Sequence, residues 1–363
     1  MPPADLVCSD CGRTFADRWR CSCGAPLEFA SAPRPDGPAP DFATFDSRRG
    51  LWAFSDFLPV ERGVTLGEGF TPLVEAPDPN VSFKLEYVSP TGSFKDRGAA
   101  TVVSRAVELG VDRVIEDSSG NAGAAIAAYA ARAGLDADIY VPASAAAAKR
   151  RAIEAVGARV VEIAGDRETV AAACRNVVAH GASGTRRGGW YASHAWNPAF
   201  FAGTATFGIE LAAQRDWSVP DAVVVPLGHG TLLLGAYRGF RALAEAGWID
   251  GMPRLLAVQA AGYAPIAGET PGTNDLADGI QVREPVRHGA IVDAIEATDG
   301  DAIAVSAEAV RRAHESLRTD GFDVEPTASA AVAGLRGYRD RGTLGGDDDA
   351  VVPLTGRGKH APY

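Results

Sequence analysis

The stretch Ser89-Pro90-Thr91-Gly92-Ser93-Phe94-Lys95-Asp96-Arg97-Gly98 places a lysine just after a turn-forming Pro-Thr-Gly. The lysine stands at the mouth of a predicted helix, Arg97 to Leu109. The chain holds four lysines, Lys84, Lys95, Lys149 and Lys359, against thirty-one arginines. Arginine supplies nearly every cation here, so a lysine kept at this turn points to a need for an amine rather than for charge alone. A guanidinium stays protonated at neutral pH, whereas a lysine amine can act as a base or as a Schiff-base nucleophile. A surface cation that happens to precede a helix is the plainer alternative.

Three further stretches pair a strand end with glycine and a polar group. Glu116-Asp117-Ser118-Ser119-Gly120-Asn121-Ala122-Gly123 runs into an alanine-rich helix. Its hydroxyls, amide and free backbone N–H groups suit a carboxylate or phenolate oxygen, although Ser and Asn also favour helix starts for local capping. Val223-Val224-Val225-Pro226-Leu227-Gly228-His229-Gly230-Thr231 is again strand, glycine turn and helix. It fits a phosphate cradle or simply a tight turn, and it lacks both the Lys-Ser/Thr ending of a nucleotide loop and the Gly-x-Gly-x-x-Gly of a dinucleotide site. A small phosphate is preferred over a nucleotide. Near the C-terminus, Val351-Val352-Pro353-Leu354-Thr355-Gly356 offers a hydroxyl at Thr355, either for a ligand's ring nitrogen or for the turn itself.

The elements that must position these loops alternate. Predicted strands are Arg113–Glu116, Asp138–Val141, Arg159–Ile163, Trp190–Ser193, Ala222–Pro226, Leu255–Gln259 and Ala350–Leu354. Between them lie predicted helices Arg97–Leu109, Asn121–Ala133, Ala145–Val156, Arg167–Ala179, Phe201–Arg215 and Thr231–Ala246. Helices Ala307–Thr319 and Ala328–Arg341 precede the last strand. Short Val/Ile-rich strands between helices predict an α/β fold with open, mostly parallel sheets covered on both faces. Ligands of such folds bind at the carboxyl ends of strands, where the three loops fall.

The first thirty residues carry Cys8, Cys11, Cys21 and Cys23, each pair followed closely by a glycine. Four thiolates in two knuckles suit tetrahedral zinc in a small ribbon; iron in the same cage and a disulfide pairing are the alternatives. With no open ligand position nearby the ion would be structural. Cys174, within a helical pattern, is expected to be a buried apolar residue. Residues 30–41 are rich in Pro, Ala and Gly and read as a linker, dividing a ribbon at 1–29 from a main body at 42–363. No apolar run reaches membrane-spanning length, and the N-terminus lacks a signal-peptide pattern. A net charge of −11 argues against nonspecific nucleic-acid binding and anionic membranes. A cytoplasmic enzyme acting on a small molecule is the expectation.

Taken in order, the lysine loop, Ser-Gly-Asn loop, Gly-x-Gly loop and terminal Thr-Gly resemble the fold-type II pyridoxal-phosphate enzymes, and among them the threonine synthase family and its close paralogues. Supporting stretches are Leu66-Gly-Glu-Gly-Phe-Thr-Pro-Leu73, Gly203-Thr-Ala-Thr206 after Asn197-Pro198, Ala277-Asp-Gly-Ile280 and Glu325-Pro-Thr-Ala328. The cysteine-bearing start is similar to the ribbon preceding many members. The resemblance implies a tryptophan synthase β-like body of two interleaved α/β domains, the smaller spanning about residues 95–215. It implies that Lys95 forms the internal aldimine and shuttles protons, and that Asn121 bonds the cofactor's ring oxygen. Gly228, His229, Gly230 and Thr231 would bind its phosphate, and Thr355 would face its ring nitrogen. Ser118, Ser119 and Gly120, with Thr91, would receive the carboxylate of an amino-acid substrate. The implied reaction turns O-phospho-L-homoserine and water into L-threonine and phosphate, in a homodimer.

Some residues depart from the family pattern. His229 stands where Asn or Gly is common, Phe200-Phe201 where an arginine often follows Asn-Pro, and Gly358-Lys359-His360 where Gly-Leu-Lys-Asp is usual. The Phe200-Phe201 departure favours a paralogous β-replacement or elimination enzyme (cysteate synthase-like, or a serine or threonine dehydratase). A non-catalytic binding protein on the same fold is a third reading.

Overall fold

Short β-branched runs and alanine-rich helices fold into three separate sheets in a computed structural model, which describes residues 4–180, 189–268 and 270–358. The early strands are β1 (Leu6–Cys8), β2 (Thr14–Phe15), β3 (Leu27–Phe29), β4 (Leu73–Glu75), β5 (Val81–Lys84) and β6 (Arg113–Glu116). Then come β7 (Asp136–Pro142), β8 (Arg159–Ile163), β9 (Trp190–Tyr191), β10 (Ala222–Pro226), β11 (Arg254–Ala260), β12 (Asp301–Val305) and β13 (Ala350–Pro353). The helices are α1 (Lys95–Glu108), α2 (Asn121–Ala133), α3 (Ala147–Glu154), α4 (Arg167–His180) and α5 (Pro198–Ala213). They continue with α6 (Thr231–Glu245), α7 (His288–Glu296), α8 (Ala307–Thr319) and α9 (Pro326–Asp340). Lys359 and His360, which the sequence comparison singled out, lie outside the described residues.

The described residues belong to two units. The first draws on Met1–Pro35, Ser47–Glu68 and Lys95–Thr204, the second on Asp36–Asp46, Gly69–Phe94 and Ala205–Tyr363. The division falls within α5 and between Phe94 and Lys95.

In the first unit a parallel sheet runs in the order β8-β7-β6-β9. Ile115 and Ile139 are fully buried on its central strands, as expected of parallel sheets covered by helices. Helix α1 begins at Lys95 itself, two residues before the predicted start, with Asp96 in its first turn where the helix dipole favours an acid. Helix α5 begins earlier than its pattern suggested because Asn197 Oδ1 accepts the Ala199 N–H at 3.0 Å and Pro198 fits the first helical position. Strands β1–β3 form a small antiparallel sheet that docks on this unit through Arg105 of α1. Its guanidinium donates to the carbonyl oxygens of Ala4 (2.7 Å) and Ala16 (3.2 Å) and lies over the Phe29 ring. Trp19 packs edge-on against both Tyr191 and Trp196.

The second unit holds a six-stranded sheet in the order β12-β11-β10-β13-β5-β4, parallel except for the β4–β5 pair. Its core joins Val224, Leu256, Val258 and Val352 of the sheet to Ala330, Ala331 and Leu335 of α9. Strand β12, Asp-Ala-Ile-Ala-Val, is absent from the sequence-based strands because alanine at alternate positions carries little β signal.

Candidate functional site

The first unit carries Lys95, Ser118, Ser119, Gly120 and Asn121. Lys95 opens α1, and the packing of that helix fixes where it starts. A Cβ added to Gly98 would fall 2.2 Å from the Phe200 ring, and one on Gly203 would fall 2.0 Å from the Arg97 carbonyl oxygen. The two glycines therefore let α1 and the start of α5 approach closely, Gly98 against a ring and Gly203 against a backbone carbonyl. Thr101 Oγ1 reinforces the contact by donating to the Ala199 carbonyl at 2.7 Å. From β6 the chain turns through Ser118, whose Oγ accepts the Gly120 N–H at 3.2 Å, into α2 at Asn121. Gly123 closes this turn, since a Cβ there would sit 1.8 Å from the Ser118 carbonyl oxygen. The loop's backbone N–H groups thus gather at a helix N-terminus, where an anion is favoured.

The second unit carries Thr91, Gly228, His229, Gly230, Thr231 and Thr355. Strand β10 runs into Gly228, then into Gly230 at φ 77°, which caps α6 before Thr231. Gly228 lies so close to the turn Asp278–Ile280 that a Cβ would sit 3.0 Å from the Gly279 carbonyl oxygen. That turn is held by Thr327 of α9, whose Oγ1 accepts the Gly279 N–H at 3.1 Å. The stretches Ala277–Ile280 and Glu325–Ala328, singled out by sequence without a role, therefore brace the Gly228–Thr231 loop. Beyond β13, the Thr355 carbonyl accepts the Phe94 N–H at 3.1 Å, and the Gly92 carbonyl accepts the Arg357 N–H at 2.8 Å. Thr91 and Thr355 are thus on adjoining segments, and Phe94 directly precedes Lys95 in the chain. Thr355 is 2% exposed and its Oγ1 has no hydrogen-bond partner. A buried hydroxyl is seldom left unmatched, so its position fits a ligand atom able to complete the bond.

Residues 64–356 match the family model described as pyridoxal-phosphate dependent enzyme. The chain belongs to the pyridoxal-phosphate-dependent enzyme family. Among relatives, it is 35% identical to a threonine synthase of Methanosarcina acetivorans, over 84% of this chain and 79% of that protein. It is 30% identical to a threonine synthase of Methanocaldococcus jannaschii, over 98% of this chain and 92% of that protein. Among solved structures, a fungal L-serine ammonia-lyase from Rhizomucor miehei matches with a TM-score of 0.66 and 25% identity, covering 79% of this chain and 93% of that chain. Pyridoxal phosphate is the family's cofactor, and the unmatched Thr355 hydroxyl together with the glycine turn at α6 fits a pyridine ring bearing a phosphate.

The four N-terminal cysteines converge. Cys8 and Cys23 sulfurs are 3.6 Å apart, those of Cys11 and Cys21 3.4 Å, and all four lie within 4.8 Å of one another. None of the five cysteines is in a disulfide. A backbone N–H is donated to the sulfur of each of Cys11, Cys21 and Cys23, from Arg13, Cys23 and Ala25 respectively. Cys21 is lowered to about 6, while the crowding of neighbouring thiols and burial leave Cys11 raised and Cys23 pushed up to about 12. Cys174 is buried, in a cluster with Ile115, Tyr140, Val170 and Tyr191.

Phe200 and Phe201 are fully buried, so neither side chain is available to a polar substrate group. Sequence reasoning also passed over Glu116 and His194. Glu116 ends β6 with no exposure; its Oε1 lies 2.7 Å from His194 Nδ1, and its Oε2 accepts the His194 N–H at 3.1 Å. Burial pushes the Glu116 carboxyl up to about 8, against the opposing pull of the His194 N–H and the Lys95 charge. Burial and the Lys95 charge pull His194 down to about 3. Asp117 is likewise raised by burial and by Glu116. The strand Arg-Val-Ile-Glu ends on this carboxylate, but its sequence does not show what the carboxylate meets.

Proposed function

We propose that this chain is a threonine synthase, converting O-phospho-L-homoserine and water to L-threonine and phosphate. The observation that carries the reading is its likeness to an archaeal threonine synthase over almost its whole length, ribbon included. Bound pyridoxal phosphate would supply delocalisation of the electron pair left at the substrate's α-carbon. In this reading the Lys95 amine holds the cofactor and the Asn121 amide bonds its ring oxygen. The backbone of Gly228, His229, Gly230 and Thr231 receives its phosphate at the α6 N-terminus, where dipole and free N–H groups favour an anion. Thr355 offers its hydroxyl to the ring nitrogen. Ser118, Ser119 and Gly120, with Thr91, orient the substrate carboxylate, so that the reacting carbons are held against one amine.

Lys95 Nζ then takes the α-proton and a β-proton in turn. The γ-phosphate leaves, the γ-carbon gains a proton to become the methyl group, water adds at the β-carbon, and the α-proton is restored. In the same proposal Cys8, Cys11, Cys21 and Cys23 hold a structural zinc ion. The enzyme is taken to be a cytoplasmic homodimer; an unbridged cysteine cluster suits a reducing compartment. Among the described residues no helix is long and apolar enough to cross a membrane.

The test is phosphate release and threonine formation from O-phospho-L-homoserine by the cofactor-loaded protein. No release overturns the assignment. The buried Phe200 and Phe201 favour a second reading, a β-replacement or elimination enzyme, because no arginine stands there to meet a substrate phosphate. Comparing phosphohomoserine with phosphoserine and threonine separates the two.

A further inference from the structure

The Glu116–His194 pair lies at the C-terminal end of β6, two residues before Ser118, and the chemistry above leaves it unused. One carboxylate grips the histidine twice, through the ring Nδ1 and the backbone N–H. On another side the ring meets Phe200 edge-on, centroids 6.1 Å apart. The charged and titratable groups around the pair come from four segments. The Lys95 charge acts on it from α1, Asp117 directly follows β6, Tyr191 lies on β9, and Cys174 and Arg167 belong to α4.

Two lone pairs cannot face each other at 2.7 Å, so one proton must lie between Oε1 and Nδ1. With a second proton on Nε2 the pair is uncharged. When one of the two protons leaves, the pair carries a single negative charge shared between a fully buried carboxylate and a histidine that is 14% exposed, a setting with little water in which charges act strongly on their neighbours. The Lys95 charge bears on both members, favouring the charged carboxylate and disfavouring the charged imidazole.

We propose that Glu116 and His194 are positioning residues for Lys95: the pair holds one removable proton, and the negative charge left by its departure raises the proton affinity of the Lys95 nitrogen. The proposal rests on Lys95 being the cofactor-bearing lysine. The upward displacement of Glu116 and the downward displacement of His194 place that proton's departure near neutral to mildly alkaline pH rather than in acid. Lys95 would then keep its proton further into the alkaline range than an isolated amine in the same cavity.

The experiment is a pH titration of the visible absorbance of the pyridoxal-phosphate-loaded protein, wild type against Glu116→Gln and Glu116→Asp. Glu116→Gln never acquires the charge, so its chromophore should lose its proton about one pH unit lower than wild type. Glu116→Asp, which keeps an ionisable carboxyl, should recover most of that difference. Coincident titrations of wild type and Glu116→Gln overturn the proposal while leaving the Lys95 reading intact. A wild-type protein with no chromophore overturns both. If the variants do not fold, difference infrared spectra of the loaded wild type decide. Between about pH 6 and pH 10 a buried protonated carboxylic acid should disappear as the absorbance changes, and its absence overturns the proposal.

Discussion

The Phe200 ring occupies the space that a side chain on Gly98 would need, with only 2.2 Å between a Cβ and the nearest ring carbon. Gly98 stands three residues after Lys95 on α1, so the fit of one phenylalanine helps fix the helix that presents the lysine. Gly98→Ala should overpack this contact and cost about 1–3 kcal/mol. Gly203→Ala should cost more, because its obstacle is the Arg97 backbone oxygen rather than a ring that can turn. Urea unfolding of both variants checks the order, and equal stabilities would contradict it.

Thr355 provides a sharper test of ligand fit. Its buried hydroxyl makes no bond within the protein, so Thr355→Val removes a polar group whose burial is already unfavourable. The cofactor-free variant should be as stable as wild type or more so, by up to about 1 kcal/mol. Its pyridoxal-phosphate affinity should fall and its absorbance spectrum change. A variant that loses stability without cofactor and binds it normally would show that the hydroxyl serves the fold alone.

Lys84 is the lysine whose amine is spent on structure. It is fully buried, pairs with Glu210, and donates to the Thr71 carbonyl at 2.5 Å and the Thr71 hydroxyl at 2.6 Å. Glu210 in turn accepts the N–H groups of Phe70 (2.7 Å) and Thr71 (2.9 Å). Lys84→Met strands a buried carboxylate and should cost about 3–5 kcal/mol. Adding Glu210→Gln removes that charge and keeps one acceptor oxygen, enough for one of the two N–H groups that Glu210 meets with separate oxygens. The double variant should still be more stable than Lys84→Met, because no charge is left buried alone. Chemical denaturation of the three proteins decides it.

The cysteine cluster predicts about one zinc per chain, lost in Cys8→Ser. Cys8 and Cys21 are buried in one cluster with Leu6 and Leu27 of the small sheet, so metal loss should open residues 5–29 to protease while the remainder of the chain stays resistant. Metal analysis beside limited proteolysis checks this, and a metal-free protein with a protected ribbon would contradict it.

Lysine scarcity applies to Lys84 as much as to Lys95; the turn before a helix set Lys95 apart in sequence, and the burial of Lys84 beside Glu210 shows where that other amine is spent. The strand–glycine–helix loops were readable because each writes its own context in consecutive residues: an apolar run, a glycine, then an alanine- or leucine-rich helix. The roles of Gly98 and Gly203 were not, since a small residue at a helix crossing has meaning only once the opposing helix is known. Glu116 and His194 are 78 residues apart, and a carboxylate at a strand's end ordinarily meets water. Nothing local reveals that this one meets a ring. Strand β12 and helix α7 escaped because short alanine-containing segments carry weak periodicity, and tertiary packing decides their form.

The Glu116–His194 pair also predicts how stability varies with pH. Glu116 ionises near about 4.3 in an unfolded chain, whereas burial pushes it up to about 8 in the fold. A raised acid stabilises the fold fully below the unfolded value, and that contribution is lost as pH rises toward 8, at a slope of up to about 1.4 kcal/mol per pH unit. His194 is pulled down to about 3 from an ordinary value near about 6.5. Its contribution is therefore present above the ordinary value and fades as pH falls toward 3. Between about pH 4.3 and pH 6.5 the two slopes oppose each other; from there to about pH 8 the Glu116 slope stands alone. Glu116→Gln removes only the first. The unfolding free energy of wild type minus that of Glu116→Gln should therefore fall steadily from about pH 5 to about pH 8 and then level off. Urea unfolding at matched ionic strength measures it, and curves that run parallel across this range would mean that Glu116 is already ionised in the fold.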